Sequence, residues 1–112
     1  GSKILVMGLS FKENCPDIRN SKIIDMVNAL KDYDLDLDIY DPWVDPEEVK
    51  HEYGLAPVKN LESGQYDAII LAVAHDQFKA MTSQEMHALG KQNHVLYDLK
   101  YILDKEESNI RL

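Results

Sequence analysis

The sequence predicts a doubly wound α/β domain: a mainly parallel, five-stranded sheet with helices on both faces, Rossmann-like but without the G-x-G-x-x-G turn. Three observations carry this prediction. Apolar runs of strand length alternate with stretches of helical periodicity, as crossover units require. Two of those runs, ILVM at 4–7 and AIILAV at 68–73, are continuously apolar, as strands buried on both faces are. Glycines and capping residues close the elements where the periodicity stops.

The elements follow in order. The run from Lys3 to Met7 ends at Gly8 and reads as a buried strand. Ile23, Ile24, Val27 and Leu30 form one stripe over residues 21–31, which predicts an amphipathic helix capped by Asn20 or Ser21. LDLDIY alternates strictly, with Leu35, Leu37 and Ile39 on one face, and predicts a half-exposed strand. Asp45-Pro46 opens a short helix that stops at Gly54. Residues 55–58 are expected to form a brief edge strand, and the buried strand at 68–73 comes next. A helical stretch then breaks near Thr82-Ser83 and resumes through Met86 and Leu89 to Gly90. HVLYDLK at 94–100 is the last predicted strand, and the polar end of the chain is expected to fray. Right-handed crossovers leave few topologies, and the favoured one puts the first strand in the centre beside the strand at 68–73.

The totals bound the function. A chain of 112 residues argues for one domain. Gly1-Ser2 reads as an expression remnant, 3–104 as the folded domain, and 105–112 as a polar tail, with the abrupt first strand hinting at a longer parent. A net charge of −8 speaks against a general nucleic-acid or anionic-membrane binder. A single cysteine excludes an internal disulfide and makes a reducing cytoplasm the expected compartment. No apolar run reaches the roughly 20 residues that span a bilayer.

In such sheets ligands bind beyond the carboxyl ends of the strands, where the winding reverses. Residues 8–20, 74–78 and 98–103 should therefore converge. The first segment, GLSFKENCPDIRN, replaces the expected glycine-rich turn, so a phosphate there must meet side chains rather than backbone. Lys12 offers a compact ammonium, Arg19 a planar fork for phosphate or carboxylate, and Phe11 a stacking surface. Pro16 limits the loop's freedom. A plainer reading stands beside this one: Lys12 solvated, Phe11 in the core, and Asp17–Arg19 a loop-stabilising pair. Residue types and placement alone leave both open.

Cys15 lacks a neighbouring histidine in sequence, and an incidental thiol is the favoured reading. His51, His75, His87 and His94 have no metal-ligand spacing with it. His75-Asp76 reads as a surface histidine beside a helix-capping aspartate. A phosphoacceptor signalling domain is the main alternative, because Lys100 follows the last strand as such domains require. They also need an acidic pair after the first strand, where this chain has Gly8, Leu9 and Ser10. A pure protein-interaction domain is a further alternative.

GLSFKENCPDIRNS at 8–21, IYDP at 39–42, Phe78-Lys79 and YDLKYIL at 97–103 together resemble the C-terminal domain of the UDP-glucose/GDP-mannose dehydrogenase family. The wording FKENCPDIRNSK is most similar to the branch that oxidises UDP-N-acetylhexosamines for bacterial surface polysaccharides such as capsule and O-antigen. The resemblance implies an enzyme that oxidises the C6 hydroxyl of a nucleotide sugar to a carboxylate in two NAD-dependent steps. It implies that the catalytic cysteine and the NAD fingerprint lie in N-terminal and central domains outside this chain, that the intact enzyme is a homo-oligomer, and that Cys15 is not catalytic. Phe11 and Lys12 match the family's substrate-contacting Phe-Lys pair. Arg19 matches an arginine that reaches the cofactor's phosphates. Lys100 and Tyr101 stand where the UDP-glucose branch carries two arginines, one contacting the nucleotide end of the substrate.

Overall fold

The computed structural model describes residues 2–19, 21–100 and 110–111. Its elements are β1 (Ser2–Met7), α1 (Lys22–Lys31), β2 (Leu35–Tyr40), α2 (Pro46–Tyr53), β3 (Tyr66–Leu71), α3 (Asp76–Lys79), α4 (Ser83–His87), β4 (Gly90–Asp98) and the two-residue β5 (Ile110–Arg111). The strands lie side by side in the order β2-β1-β3-β4-β5, all parallel. β1 is flanked by β2 and β3, the placement favoured from the sequence.

Alternation along the central strands builds two cores. Val6 and Ile39 point to the face covered by α1 and α2, where they meet Ile24, Val27 and Val49. Leu5, Met7, Ile69, Leu71 and Leu96 point to the other face, against Phe78 of α3 and Met86 of α4. The helix ends follow local chemistry. Ser21 caps α1 by accepting from the Ile23 N–H at 3.2 Å. Asp45 caps α2, and left-handed Gly54 ends it. Thr82 and Glu85 form a reciprocal capping box that restarts the helical stretch as α4.

The expected edge strand at 55–58 does not form. Pro57 has no N–H to donate, and this segment reaches β2 through one backbone bond, Val58 N–H to Ile39 O at 2.8 Å. The last long strand starts at Gly90, four residues earlier than its apolar run, because Lys91–His94 continues the strand with polar residues beside an irregular register. Ile110–Arg111 pairs with Tyr97 and Asp98, inside the stretch expected to fray. Asn20 and the remaining tail residues lie outside the described residues. No described helix is long and apolar enough to cross a membrane.

Candidate functional site

β1, β3 and β4 end on the same side of the sheet, and the segments that follow them converge there. Ser10, Phe11, Lys12 and Glu13 of the first loop, Lys22 and Ile23 of α1, Ala72 and Val73 after β3, and Lys100 after β4 line one cavity of about 280 Å³. Three of the four site residues read from the sequence, Phe11, Lys12 and Lys100, therefore line the same cavity. Phe11 is 54% exposed and is not a core residue. Among the described residues no ion pair engages the ammonium groups of Lys12, Lys22 or Lys100. In a chain of net charge −8, this hollow is lined by three cations against one carboxylate, that of Glu13. Lys22 was not singled out in the sequence because its position on α1 reads as a solvated helix residue.

Arg19 is placed differently. It does not line the cavity, and its side chain is largely exposed. Asp17 holds its guanidinium through Nε at 3.1 Å and a second nitrogen at 3.3 Å, and also accepts from the Arg19 backbone N–H at 2.8 Å. These hydrogen bonds from Arg19 keep the Asp17 carboxyl below its ordinary range.

The loop is long but not loose. The Gly8 N–H donates to Tyr40 O at 2.8 Å, and Leu9 and Ile18 are buried. Ser21 Oγ donates to Leu9 O at 2.6 Å, and Tyr53 Oη donates to Ile18 O at 2.8 Å. At its base sits the fully buried side chain of Asp41. Asp41 Oδ2 accepts from the N–H groups of Leu9 at 2.7 Å and Ser10 at 3.0 Å, and Oδ1 accepts from the Trp43 N–H at 2.8 Å. His75 Nε2 lies 2.9 Å from the same Oδ2. Burial alone raises the Asp41 pKa. The bonds from His75, Leu9, Ser10 and Trp43 outweigh it and hold the group below the ordinary carboxylate range.

His75 is buried, not the surface residue its sequence context suggested, and Asp76 is not its helix's cap. α3 has no cap from His75 itself. Instead Asn14, in the left-handed region at φ 54°, accepts from the Asp76 N–H through Oδ1 at 2.9 Å. The Asn14 N–H donates to His75 Nδ1 at 2.9 Å. Cys15 is partly buried, and the loop's hydrogen bonds to His75 run through Ser10 and Asn14. Among the described residues no group of three or more histidine, cysteine, aspartate or glutamate side chains is placed to hold a metal ion. Asp41 and His75 had a weak sequence signal: each directly follows a strand or its apolar extension at the carboxyl end, where polar residues meet either a ligand or each other.

Residues 5–105 match the family model described as UDP-glucose/GDP-mannose dehydrogenase family, UDP binding domain. The chain is 57% identical over all 112 residues to a UDP-N-acetyl-D-glucosamine 6-dehydrogenase of Salmonella typhi and 54% identical to one of Pseudomonas aeruginosa. It spans 26% of the length of each of these relatives. A UDP-D-ManNAc dehydrogenase of Pyrococcus horikoshii shares the fold, with a TM-score of 0.76 at 23% identity over 98% of this chain and 25% of that one. The match across residues 5–105, the two relatives and the shared fold agree: the chain belongs to the UDP-glucose/GDP-mannose dehydrogenase family, as its UDP binding domain.

Proposed function

We propose that this domain holds the nucleotide end of the substrate in an NAD-dependent nucleotide-sugar 6-dehydrogenase, which oxidises the C6 hydroxyl of a UDP-N-acetylhexosamine to the uronic acid for bacterial surface polysaccharide. The observation that carries the reading is the cavity bearing Lys12, Lys22 and Lys100 beside exposed Phe11. Lys12 and Lys100 meet the diphosphate, Lys22 adds to the field, and Phe11 packs against a ring face of the substrate. Family membership favours this over a signalling domain.

Each charge-assisted contact contributes about 1.5–3 kcal/mol. Association itself costs about 4–15 kcal/mol. A few such contacts make a weak site alone, so the other domains of the enzyme must grip the same ligand. The cysteine that does the chemistry belongs to those domains.

The crevice of this sheet does not fit a dinucleotide pyrophosphate. The Leu9 and Ser10 N–H groups, which such a phosphate requires, are already occupied by Asp41. NAD, the hydride acceptor, is held by the N-terminal domain, and Arg19 is directed across to it from outside the cavity.

Kinetics of the intact enzyme test this division. Lys12→Ala should raise the KM for the UDP-sugar about tenfold or more with little change in the KM for NAD. Arg19→Ala should do the reverse, raising the KM for NAD. Unchanged constants for both variants reject the assignment.

A further inference from the structure

The two ring nitrogens of His75 bracket the part of the loop that faces the cavity. Nδ1 accepts from the Asn14 N–H at 2.9 Å, so the ring proton is on Nε2. That proton is directed to Asp41 Oδ2 at 2.9 Å, with Ser10 Oγ at 3.2 Å as a second neighbour. Ser10 Oγ is then free to donate to the Lys12 carbonyl at 3.0 Å. Every donor in this chain has one direction: Asn14 N–H to His75, His75 N–H to Asp41, Ser10 O–H to Lys12. Residues 10 and 14 are thus tied to one buried imidazole, while Phe11, Lys12 and Glu13 between them stay exposed at the cavity wall. His75 also packs on the Phe78 ring, with centroids 5.4 Å apart, and the backbone bonds Phe78 N–H and Lys79 N–H to His75 O fix it to α3.

We infer that His75 is a positioning residue for substrate binding, clipping both ends of the Phe11–Glu13 segment so that Lys12 is presented to the ligand in one posture. Asn14 is its partner, and joins the loop to the start of α3. The gain is preorganisation: a loop already ordered does not lose that freedom when the ligand arrives. The inference rests on the proposed role of Lys12. Neither His75 nor Asn14 lines the cavity, so neither acts by touching the ligand.

The test uses the intact enzyme. His75→Gln places an amide near the Nε2 position, keeping a donor for Asp41 and losing the acceptor for Asn14. It should raise the KM for the UDP-sugar about fivefold with kcat unchanged, and speed hydrogen exchange at the Asn14 amide. Asn14→Gly keeps the left-handed backbone but removes Oδ1 and should raise the same KM by a smaller factor. Asn14→Asp, which retains the acceptor, should restore it. If His75→Gln does not fold, the Asn14 pair decides. Folded variants with unchanged KM, beside a Lys12→Ala enzyme whose KM has risen, overturn the clip and leave the site intact. If Lys12→Ala itself leaves KM unchanged, the site assignment fails. The exchange rate at Asn14 in His75→Gln then decides the clip alone: faster exchange supports it, and an unchanged rate overturns it.

Discussion

Asp41→Ala should destabilise this domain by about 4 kcal/mol or more. The carboxylate is the acceptor for three backbone N–H groups and the partner of His75, all within 3.0 Å. An orphaned buried donor costs about 1–3 kcal/mol, and relaxation at a fully packed site recovers little of that. Asp41→Asn, which keeps one oxygen, should fall between the two. Urea denaturation of wild-type and variant chains measures the difference, and a loss below about 1 kcal/mol contradicts the network. The pH dependence has a definite sign. The folded-state pKa of Asp41 is lowered, so its contribution is complete above the ordinary carboxylate value of about 3.9 and is lost as pH falls through the folded value. Acid should therefore erode wild-type stability over that window more steeply than it erodes the stability of Asp41→Asn.

Gly8→Ala should cost about 3 kcal/mol through two separate causes. Gly8 has φ +105°, a conformation that costs an L-residue about 1–2 kcal/mol. A Cβ there meets Val73 Cβ at 2.6 Å and Val73 N at 2.8 Å, and overpacking of that kind adds about 1–3 kcal/mol. Gly54 supplies the control. Its φ of +68° is also left-handed, but nothing lies within 4 Å of an added Cβ. Gly54→Ala should thus carry only the conformational cost, about 1 kcal/mol. Equal losses at the two positions contradict the close approach of the loop to the end of β3.

The central part of the fold was legible in the sequence because its signals are local. Ile4 to Met7 and the run ending at Val73 are continuously apolar, as strands of a parallel sheet covered on both faces are, and Asp45-Pro46 and Gly54 mark the ends of α2 without tertiary help. The outer elements were less legible. At 55–58 the apolar content suggested a strand, but a proline removed the donor that pairing needs. Gly90 looked like a helix stop and instead opens β4, because a glycine after an apolar run punctuates either element equally well.

The site divides the same way. Phe11, Lys12 and Lys100 could be placed from topology, which fixes where loops gather. The link between Asp41 and His75 spans 34 residues, and Asn14 reaches Asp76 over 62, so neither leaves a periodic trace along the chain. Arg19 and Asp17 form the plain loop pair that the residue types also allowed. This pairing keeps the guanidinium outside the cavity and largely in solvent.

If the domain holds the nucleotide end of the substrate, the hollow at the ends of β1, β3 and β4 grips the diphosphate. Calorimetric titration of the intact enzyme with UDP alone, without sugar or NAD, reads that grip directly. Removing the Lys12 ammonium by Lys12→Ala should weaken UDP about tenfold or more, and added salt should weaken the wild-type complex more than the variant. UDP affinity and salt dependence that are the same in both proteins would contradict it.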